Sequence, residues 1–366
     1  MSNLFEPLRV GDIDLATRLV MAPLTRNRAS PGQVPNELMA QYYAQRADPA
    51  TGAGLLITEA TQIAPLGQGY LDTPGLYNAA QIAGWRRVTQ AVHAEGGRIV
   101  VQLWHVGRIS HVSLLPPGEV PVSSTSRPAK GKTYIAGGFA DVSTPRALRS
   151  DEIAAVVDQY RHAALCAMEA GFDGVEVHGA NGYLIEQFLR DSINDRSDGY
   201  GGSIESRTRF LREVMQAVAG AIGGGRTGLR LSPVTPSNDA GPDSNPQALY
   251  EAALAQLAPL KLAYLHVVEG ATGGARNVAP FDYAALRALF DGAWMVNNGY
   301  DRAMALDAVA SGRADLVAFG KPFIANPDLG RRLRENAPLN LSDNKTFYGG
   351  GAAGYIDYPL LDAVLV

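Results

Sequence analysis

The chain is poor in several residues and patterns, and each shortage excludes a class of protein. Its single cysteine, Cys166, excludes a disulfide framework, a cysteine-rich zinc site and a cysteine-ligated iron–sulfur cluster. No stretch approaches the ~18 consecutive apolar residues of a transmembrane helix. The amino terminus also lacks the basic and then apolar segments of a signal peptide. We therefore expect a soluble, cytoplasmic protein that has no membrane partner.

Clustered positive charge is missing as well. The sequence has 32 Lys and Arg residues against 36 Asp and Glu residues, which gives a formal net charge of −4. Proteins that bind nucleic acid need grouped basic side chains to displace counterions from phosphates, so we expect no nucleic-acid partner. Hydrophobic residues make up 46% of the chain and charged residues 19%, which excludes disorder and allows a sizeable core.

Eight short apolar runs alternate with segments of helical periodicity. The runs are almost continuously apolar, as is typical of parallel strands that are covered on both faces. Two arrangements fit this alternation, a closed (β/α)8 TIM barrel and an open doubly wound sheet. We favour the barrel, because each spacing between runs leaves room for a crossover helix. The predicted strands are Leu19–Met21, Leu55–Ala60, Ile99–Leu103, Gly174–His178, Gly228–Leu231, Tyr264–Val268, Trp294–Asn297 and Leu316–Phe319.

An insertion is predicted after the third strand, where the longest gap between runs occurs. Residues 106–149 fill that gap and are rich in Pro, Ser and Gly, with Pro116-Pro117 and Gly137-Gly138 as breakers. We expect this excursion to cover the carboxyl-terminal mouth of the barrel. No low-complexity linker divides the chain, so residues 1–366 are predicted to form a single domain.

Catalytic groups of β/α barrels lie at the carboxyl ends of the strands. In this sequence those ends carry many hydrogen-bonding groups but almost no carboxylates, which disfavours paired-carboxylate hydrolysis and a metal site. The residues at these positions are Thr25, Ala60, Gln102, Trp104, His178, Asn181, Tyr183, Arg230, Gly299, Gly320 and Lys321.

The ends of the last two strands match a common phosphate-binding arrangement of barrels. Asn298-Gly299 follows the seventh strand and Gly320-Lys321 follows the eighth, which is where backbone N–H groups often bind a phosphate. The same glycines could instead be simple turns into the following helices. Position alone leaves both interpretations open.

The most informative cluster is His178, Asn181 and Tyr183. Residues three apart on a continued strand point to opposite faces, so these side chains converge only if the chain turns after His178. Gly179 and Gly182 allow such a turn. His178 and Asn181 could then donate to one substrate oxygen, and a tyrosine keeps its proton at neutral pH, as a general acid must. A buried histidine beside an ordinary Asn-Gly turn is the other interpretation.

A longer series of segments carries a family resemblance that covers nearly the whole chain. The segments are Leu4–Pro7, Met21–Arg26, Val101–Arg108, Gly174–Leu184, Phe188–Arg196, Tyr200–Ser203 and Phe323–Asp328. In this order they resemble the old yellow enzyme family of FMN-dependent ene-reductases of the NADPH dehydrogenase type. The similarity extends in particular to the bacterial members that reduce nitrate esters and N-ethylmaleimide.

The resemblance implies a non-covalent FMN across the barrel mouth. Thr25 matches the family residue that binds flavin O4, Gln102 the one at the pyrimidine edge, and Arg230 the cation near N1 and O2. Many members carry arginine where this chain has Lys321. The remaining cofactor contacts that the resemblance implies are Pro23, Leu24, Ala60 and His178 at the ring system, and Asn298, Gly299, Gly320 and Lys321 at the phosphate.

The resemblance also implies a substrate site and a reaction. His178 and Asn181 match the pair that binds the substrate oxygen, Tyr183 matches the proton donor, and Tyr70, Trp104 and Tyr348 match pocket aromatics. The implied cycle is ping-pong. NAD(P)H is oxidised first, and hydride then passes from flavin N5 to the β-carbon of an α,β-unsaturated carbonyl or nitro compound. Enones, nitroalkenes, maleimides and nitrate esters are the expected substrates, and a monomer or small homo-oligomer is expected.

Two alternatives remain at this stage. One is a barrel that only binds a ligand, although a complete set of site residues argues against lost catalysis: Thr25, Gln102, His178, Asn181, Tyr183 and Arg230. The other is a TIM-barrel enzyme without flavin, of the aldolase or isomerase kind. Such an enzyme would need a catalytic lysine inside the barrel, and Lys261 and Lys321 are poor candidates by position.

Overall fold

A closed parallel barrel forms the centre of the computed structural model, which describes residues 3–364. Each strand pairs in parallel with the next, and the eighth pairs with the first, so the barrel has no free edge. The predicted (β/α)8 TIM barrel is therefore confirmed, and the open sheet is excluded. Residues 1–2 and 365–366 of the predicted domain lie outside the described residues. The barrel strands, numbered 1 to 8, are Leu19–Met21, Leu55–Ile57, Ile99–Trp104, Gly174–Gly179, Thr227–Leu231, Tyr264–Val268, Ala293–Asn297 and Leu316–Phe319.

Barrel strand 2 is shorter than the sequence predicts. It ends at Ile57 rather than at Ala60, because the backbone N–H of Glu59 donates to the Tyr43 hydroxyl (2.8 Å) instead of to a neighbouring strand. The chain then forms a separate two-residue strand, Thr61–Gln62, that pairs with the end of barrel strand 3. The apolar run alone does not reveal this interruption.

Helices surround the barrel and account for most of the connections between its strands. Within the described part of the chain, none of them combines the length and the apolar character that crossing a membrane requires. The α-helices are α1 Glu37–Ala44, α2 Ala79–Ala94, α3 Ser150–Glu169, α4 Leu184–Leu189, α5 Ile204–Ile222, α6 Pro246–Leu257, α7 Tyr283–Ala288, α8 Arg302–Ala310, α9 Lys321–Ala325, α10 Leu329–Glu335 and α11 Leu361–Val364. Short 3-10 helices span Pro65–Gly67, Val112–Leu114, Gly224–Arg226, Ala258–Leu260 and Asn344–Thr346.

The amino-terminal end of the barrel is closed by a hairpin of the strands Leu8–Val10 and Ile13–Leu15. Its apolar side chains pack in one buried cluster with Val20, Leu55 and Val100 of the barrel strands. Because apolar side chains fill this end, the opening for a ligand lies at the opposite, carboxyl-terminal end.

The predicted insertion after barrel strand 3 forms structure of its own. The strands Lys132–Ile135 and Gly138–Asp141 pair as an antiparallel hairpin, and Val122–Ser123 pairs in parallel with Arg146–Ala147. Gly137, with φ of 93°, makes the hairpin turn, a backbone angle that glycine adopts readily. Tyr134 and Phe139 of the hairpin line the cavity at the mouth of the barrel, which is where a cover would lie.

Candidate active site

A cavity of about 580 Å³ opens at the carboxyl ends of the barrel strands. Its walls come mainly from the ends of strands 1 to 5, from the inserted hairpin and from a segment near the carboxyl terminus, with Thr272 after strand 6 and Ile324 on α9 in addition. The structure therefore brings together side chains that are widely separated in sequence. The predicted site residues that line it are Pro23, Leu24, Thr25, Ala60, Tyr70, Gln102, Trp104, His178, Asn181, Tyr183, Arg230 and Tyr348.

The chain turns sharply after His178, which is the condition for His178, Asn181 and Tyr183 to converge. Barrel strand 4 ends at Gly179, and Asn181 and Gly182 follow with φ of 57° and 76°. Both residues thus adopt the left-handed region, which asparagine and glycine tolerate better than other residues. This turn directs His178, Asn181 and Tyr183 to one cavity wall.

His178 is a neutral hydrogen-bond donor in this position. Its Nδ1 accepts from the backbone N–H of Ala180 (3.2 Å), which assigns the proton of a neutral ring to Nε2. Burial holds the pKa of His178 well below its usual range, and the positive charge of Arg230 and the nearby His266 lower it further. The ring therefore offers Nε2–H to the cavity without a net charge.

The side chain of Asn181 is also oriented by a neighbour. Its Oδ1 accepts from the Thr272 hydroxyl at 2.7 Å. An amide whose oxygen is bound in this way has its NH₂ group left to donate. Asn181 and His178 together give the wall two uncharged donors.

Tyr183 lies beside this pair and against other aromatic rings. Its hydroxyl is 3.1 Å from that of Tyr70, and its ring contacts Trp104 edge-on, with centroids 4.9 Å apart. Burial raises the pKa of Tyr183, although hydrogen bonds from Tyr70 and Asn238 partly offset the effect. The phenol thus retains its proton throughout the neutral pH range.

Gln102 is held by a buried carboxylate inside the barrel. Its Nε2 donates to Glu176 Oε1 (2.7 Å), and the other carboxylate oxygen lies 2.9 Å from His266 Nδ1. Burial alone would raise the pKa of Glu176, but the charge of His266 and these hydrogen bonds keep it below the usual value. Because a carboxylate only accepts, the Gln102 amide is fixed with its oxygen free to accept elsewhere.

Arg230 places a nearly buried cation in the cavity wall, with only 5% of its surface exposed. Its Nη2 donates to Asn297 Oδ1 at 3.1 Å. Its Nε is buried and has no hydrogen-bond partner among the described residues. Burying a charged group with an unpaired N–H is unfavourable, so this cation is suited to an electronegative ligand.

The predicted phosphate residues do not line this cavity. Asn297 and Ala318 are neighbours in the paired strands 7 and 8, so Gly299 and Gly320 lie at adjacent strand ends of the same barrel face. Gly299 is exposed, as is Lys321, the first residue of α9. A Cβ at Gly299 would meet no atom within 4 Å, so there is open space beside its backbone.

The side chain of Asn298 also has a structural role. Its Nδ2 donates to the backbone carbonyls of Glu269 (2.6 Å) and Ala271 (2.9 Å), and its Oδ1 accepts from the N–H of Gly273 (3.1 Å). The side chain thereby fixes the loop after barrel strand 6. Only the backbone of Asn298 is left to take part in the predicted phosphate site.

Two arginines fasten a carboxyl-terminal segment, residues 343–356, to the cavity. The Nε of Arg26 donates to the carbonyl of Phe347 (2.8 Å), and Nη2 of Arg28 donates to that of Thr346 (3.0 Å). Both arginines are buried. Their hydrogen bonds hold Phe347 and the following residue in the cavity wall.

The sequence does not predict several of the cavity residues. Arg26 ends the segment Met21–Arg26 and Ile324 lies in the segment Phe323–Asp328, so these two segments are an available signal for them. The others lie outside the barrel strands, on loops, on the inserted hairpin or on the carboxyl-terminal segment, where neither barrel periodicity nor spacing fixes position. The cavity residues that were missed are Arg26, Asn27, Tyr134, Phe139, Thr272, Ile324, Asn344, Lys345 and Phe347.

Comparison with known proteins gives consistent results. A family model described as the NADH:flavin oxidoreductase / NADH oxidase family matches residues 3–340. The chain is 46% identical to 12-oxophytodienoate reductase 7 of Oryza sativa subsp. japonica, over 98% of this chain and 94% of that protein. It is 42% identical to 12-oxophytodienoate reductase 2 of Arabidopsis thaliana, over 98% and 96%.

Solved structures show the same similarity. The old yellow enzyme homologue from Zymomonas mobilis superposes with a TM-score of 0.94 at 43% identity, covering 98% of this chain and 100% of that one. Morphinone reductase in complex with tetrahydroNAD superposes with a TM-score of 0.93 at 46% identity, covering 99% and 98%. The chain thus belongs to the NADH:flavin oxidoreductase / NADH oxidase family, that of the old yellow enzymes, which use FMN with NAD(P)H as electron donor.

Proposed function

We propose that this protein is an NAD(P)H-dependent ene-reductase that reduces the C=C bond of α,β-unsaturated carbonyl and nitro compounds. The observation that carries the proposal is the arrangement of one cavity wall. There, two uncharged donors, His178 and Asn181, lie beside the protonated phenol of Tyr183. A substrate needs the first two groups at its oxygen and the third near the double bond.

The cavity fits the isoalloxazine ring of FMN by the chemistry of its walls. Its volume of about 580 Å³ lies within the ~300–1,000 Å³ of typical ligand pockets. The unpaired Nε of Arg230 suits the electronegative edge of the ring, and the free oxygen of Gln102 suits a ring N–H. We assign Thr25 to a further polar contact, and Pro23, Leu24, Ala60 and His178 to the ring faces and edges.

For the phosphate we propose the exposed face at the ends of barrel strands 7 and 8. The backbone N–H groups of Asn298, Gly299 and Gly320 and the ammonium of Lys321 would bind it there. Lysine acts as a point charge, whereas arginine offers a planar pair of donors. Bound FMN supplies the carrier that accepts hydride from NAD(P)H and delivers it to the substrate.

The pair His178 and Asn181 would bind the carbonyl or nitro oxygen. As hydride reaches the β-carbon, negative charge develops on that oxygen, so donors that are already in place stabilise the transition state more than the ground state. The lowered pKa of His178 keeps the ring neutral, so binding of a neutral enone requires no prior protonation.

Tyr183 would then protonate the α-carbon. Its raised pKa keeps the proton available at neutral pH, and a positioned acid of this kind contributes roughly 10²–10⁴-fold to the rate. Tyr70, Trp104 and Tyr348 supply aromatic surface for the body of the substrate. We include maleimides, nitroalkenes and nitrate esters in the proposed range and ping-pong order in the cycle. A cytoplasmic location and a monomeric or small homo-oligomeric state stay predictions.

An anaerobic titration tests this function. Purified protein should be yellow, lose its visible absorption on addition of NADPH, and regain it when cyclohexenone is added. Loss of absorption without recovery on adding enones, nitroalkenes or maleimides would restrict the activity to NAD(P)H oxidation and contradict the proposal.

A further inference from the structure

We propose that Glu186 and Ser232 are positioning residues that set the Asn181 amide for the substrate oxygen. This inference rests on the proposed role of Asn181 and extends it to groups that lie behind the cavity wall. Neither residue lines the cavity. Each acts through the backbone of the turn that follows barrel strand 4.

The turn needs external support, because its backbone is in a conformation that few sequences favour. Asn181 and Gly182 are both left-handed, a backbone region that is unfavourable for most residues with a side chain. Side chains bind both carbonyls and both N–H groups of these two residues. Asn238 Nδ2 donates to the carbonyl of Asn181 and Gln187 Nε2 to that of Gly182, each at 2.8 Å, and the N–H groups donate to the two proposed positioning residues. The N–H of Asn181 donates to Ser232 Oγ (2.7 Å), and the N–H of Gly182 donates to Glu186 Oε2.

The carboxylate of Glu186 connects these supports. Its side chain has no exposed surface, and its Oε1 accepts from Ser232 Oγ (2.9 Å), from Arg190 Nη2 (2.9 Å) and from the Tyr250 hydroxyl (3.0 Å). Together with Gly182, four donors converge on one carboxylate. The Arg190 guanidinium compensates the charge, so a fully buried anion is tolerated here.

The three rigid parts that meet at this carboxylate explain how it sets the turn. Glu186 belongs to α4, Ser232 follows barrel strand 5, and Tyr250 belongs to α6. The hydroxyl of Ser232 passes the constraint from Glu186 to the N–H of Asn181. Because the Asn181 side chain leaves the same Cα, a small rotation of this turn would move its amide, and such groups need placement within about 0.5 Å.

Only a side chain whose two oxygens both accept satisfies the four donors around Glu186. A carboxylate presents two accepting oxygens, whereas an amide presents one oxygen and one donating NH₂ group. Glu186→Gln would therefore set its NH₂ group against Gly182 N–H or against the donors at Oε1. Ser232→Ala is the milder change, because it removes one hydroxyl and leaves the buried ion pair of Glu186 and Arg190 in place.

The test is a double-mutant cycle on the FMN-loaded protein, with 4-hydroxybenzaldehyde as ligand and visible absorption as the signal. Ser232→Ala should weaken binding about fivefold to tenfold, the size of one lost hydrogen bond. In an Asn181→Ala background the same substitution should have almost no effect, since the amide that it orients is gone. Glu186→Gln should likewise weaken binding in the wild-type background and have almost no effect in the Asn181→Ala background. Ser232→Ala and Glu186→Gln should each raise KM for cyclohexenone more than they lower kcat.

A matched control is Thr89→Val, which removes an equally buried hydroxyl that donates to Ala170 in a distant part of the fold. Its ligand affinity should equal that of the wild type. If Ser232→Ala lowers ligand affinity equally with and without the Asn181 amide, its role is generally structural and the proposal is overturned. The proposal is also overturned if Ser232→Ala does not lower the affinity at all. A wild-type protein that binds no phenol and reduces no enone would instead refute the proposed function, and this inference with it.

Discussion

The protonation of individual side chains decides what the cavity can do. His178 stays neutral because burial and the Arg230 charge lower its pKa, and Tyr183 stays protonated because burial raises its pKa. The first group is then a donor without charge, and the second is an acid that keeps its proton until the pH exceeds the ordinary tyrosine value of about 10. These two states suit polarisation of a carbonyl and protonation of a carbon.

Replacement of Tyr183 by phenylalanine tests its role as the acid. The variant should keep its yellow colour and its NAD(P)H oxidation, because the ring still packs against Trp104. Cyclohexenone reduction should fall by about 10²–10⁴-fold, the contribution of a general acid. Steady-state rates for both substrates check this expectation, and unaltered enone turnover would remove Tyr183 from that role.

Replacement of His178 by alanine tests whether His178 and Asn181 together bind the ligand oxygen. Phenolic ligands should bind about tenfold or more weakly, since one donor to their oxygen is lost and Asn181 alone remains. Spectroscopic titration measures this affinity. If the wild-type affinity is retained, His178 does not contact the ligand oxygen.

Among larger elements, the inserted hairpin and the carboxyl-terminal segment complete the cavity. The hairpin contributes Tyr134 and Phe139, and the segment contributes Phe347 and Tyr348. Both lie over the mouth rather than in the barrel itself. Both segments therefore form part of the cavity wall without belonging to the barrel strands.

Replacement of Arg28 by alanine should loosen the carboxyl-terminal segment. The guanidinium donates to the backbone carbonyls of Thr346 (3.0 Å) and Gly351 (3.1 Å), which would lose a partner. Amide exchange in residues 346–351 should accelerate, and KM for enones should rise by about threefold to tenfold, the effect of one or two lost hydrogen bonds.

Arg9→Ala is the comparison for this experiment, because it removes an exposed ion pair with Asp14, a kind that contributes little to stability. It should change neither the amide exchange nor KM. Unchanged exchange in Arg28→Ala would mean that the segment is held by other contacts.

The sequence predicts the strands and the cavity floor better than the parts above them. Parallel strands such as Gly174–Gly179 are recognisable because both of their faces are buried, and their ends carry the chemistry. The place of Phe347 depends on Arg26, which is 321 residues away in sequence, and no local pattern encodes such a contact. The early end of barrel strand 2 likewise depends on the Tyr43 hydroxyl, which lies on α1.

The buried and neutral His105 makes the stability of the entire fold depend on pH. His105 is 1% exposed, and burial lowers its pKa from 6.5 to about 3. The unfolded chain binds a proton below its ordinary pKa, but the folded protein does not. This group therefore leaves stability unchanged above pH 6.5 and reduces it progressively as the pH falls towards 3.

His105→Asn should reduce this acid sensitivity. The Oδ1 of asparagine can replace Nδ1 as acceptor for the N–H of Gly107 (3.1 Å), while the titrating group is removed. The drop in unfolding free energy between pH 7.5 and pH 5 should become smaller by about 2 kcal/mol. Urea unfolding at both pH values measures it, and an equal drop in both proteins would contradict the assigned pKa shift.

The central claim is that polar groups from separate barrel strands surround one flavin ring and clamp a substrate oxygen above it. A crystal structure of the purified protein with 4-hydroxybenzaldehyde tests it most directly. The isoalloxazine should fill the cavity next to Gln102 and Arg230, with the ligand oxygen within hydrogen-bond distance of both His178 and Asn181. A cavity without flavin, or a ligand bound away from that pair, would contradict the account.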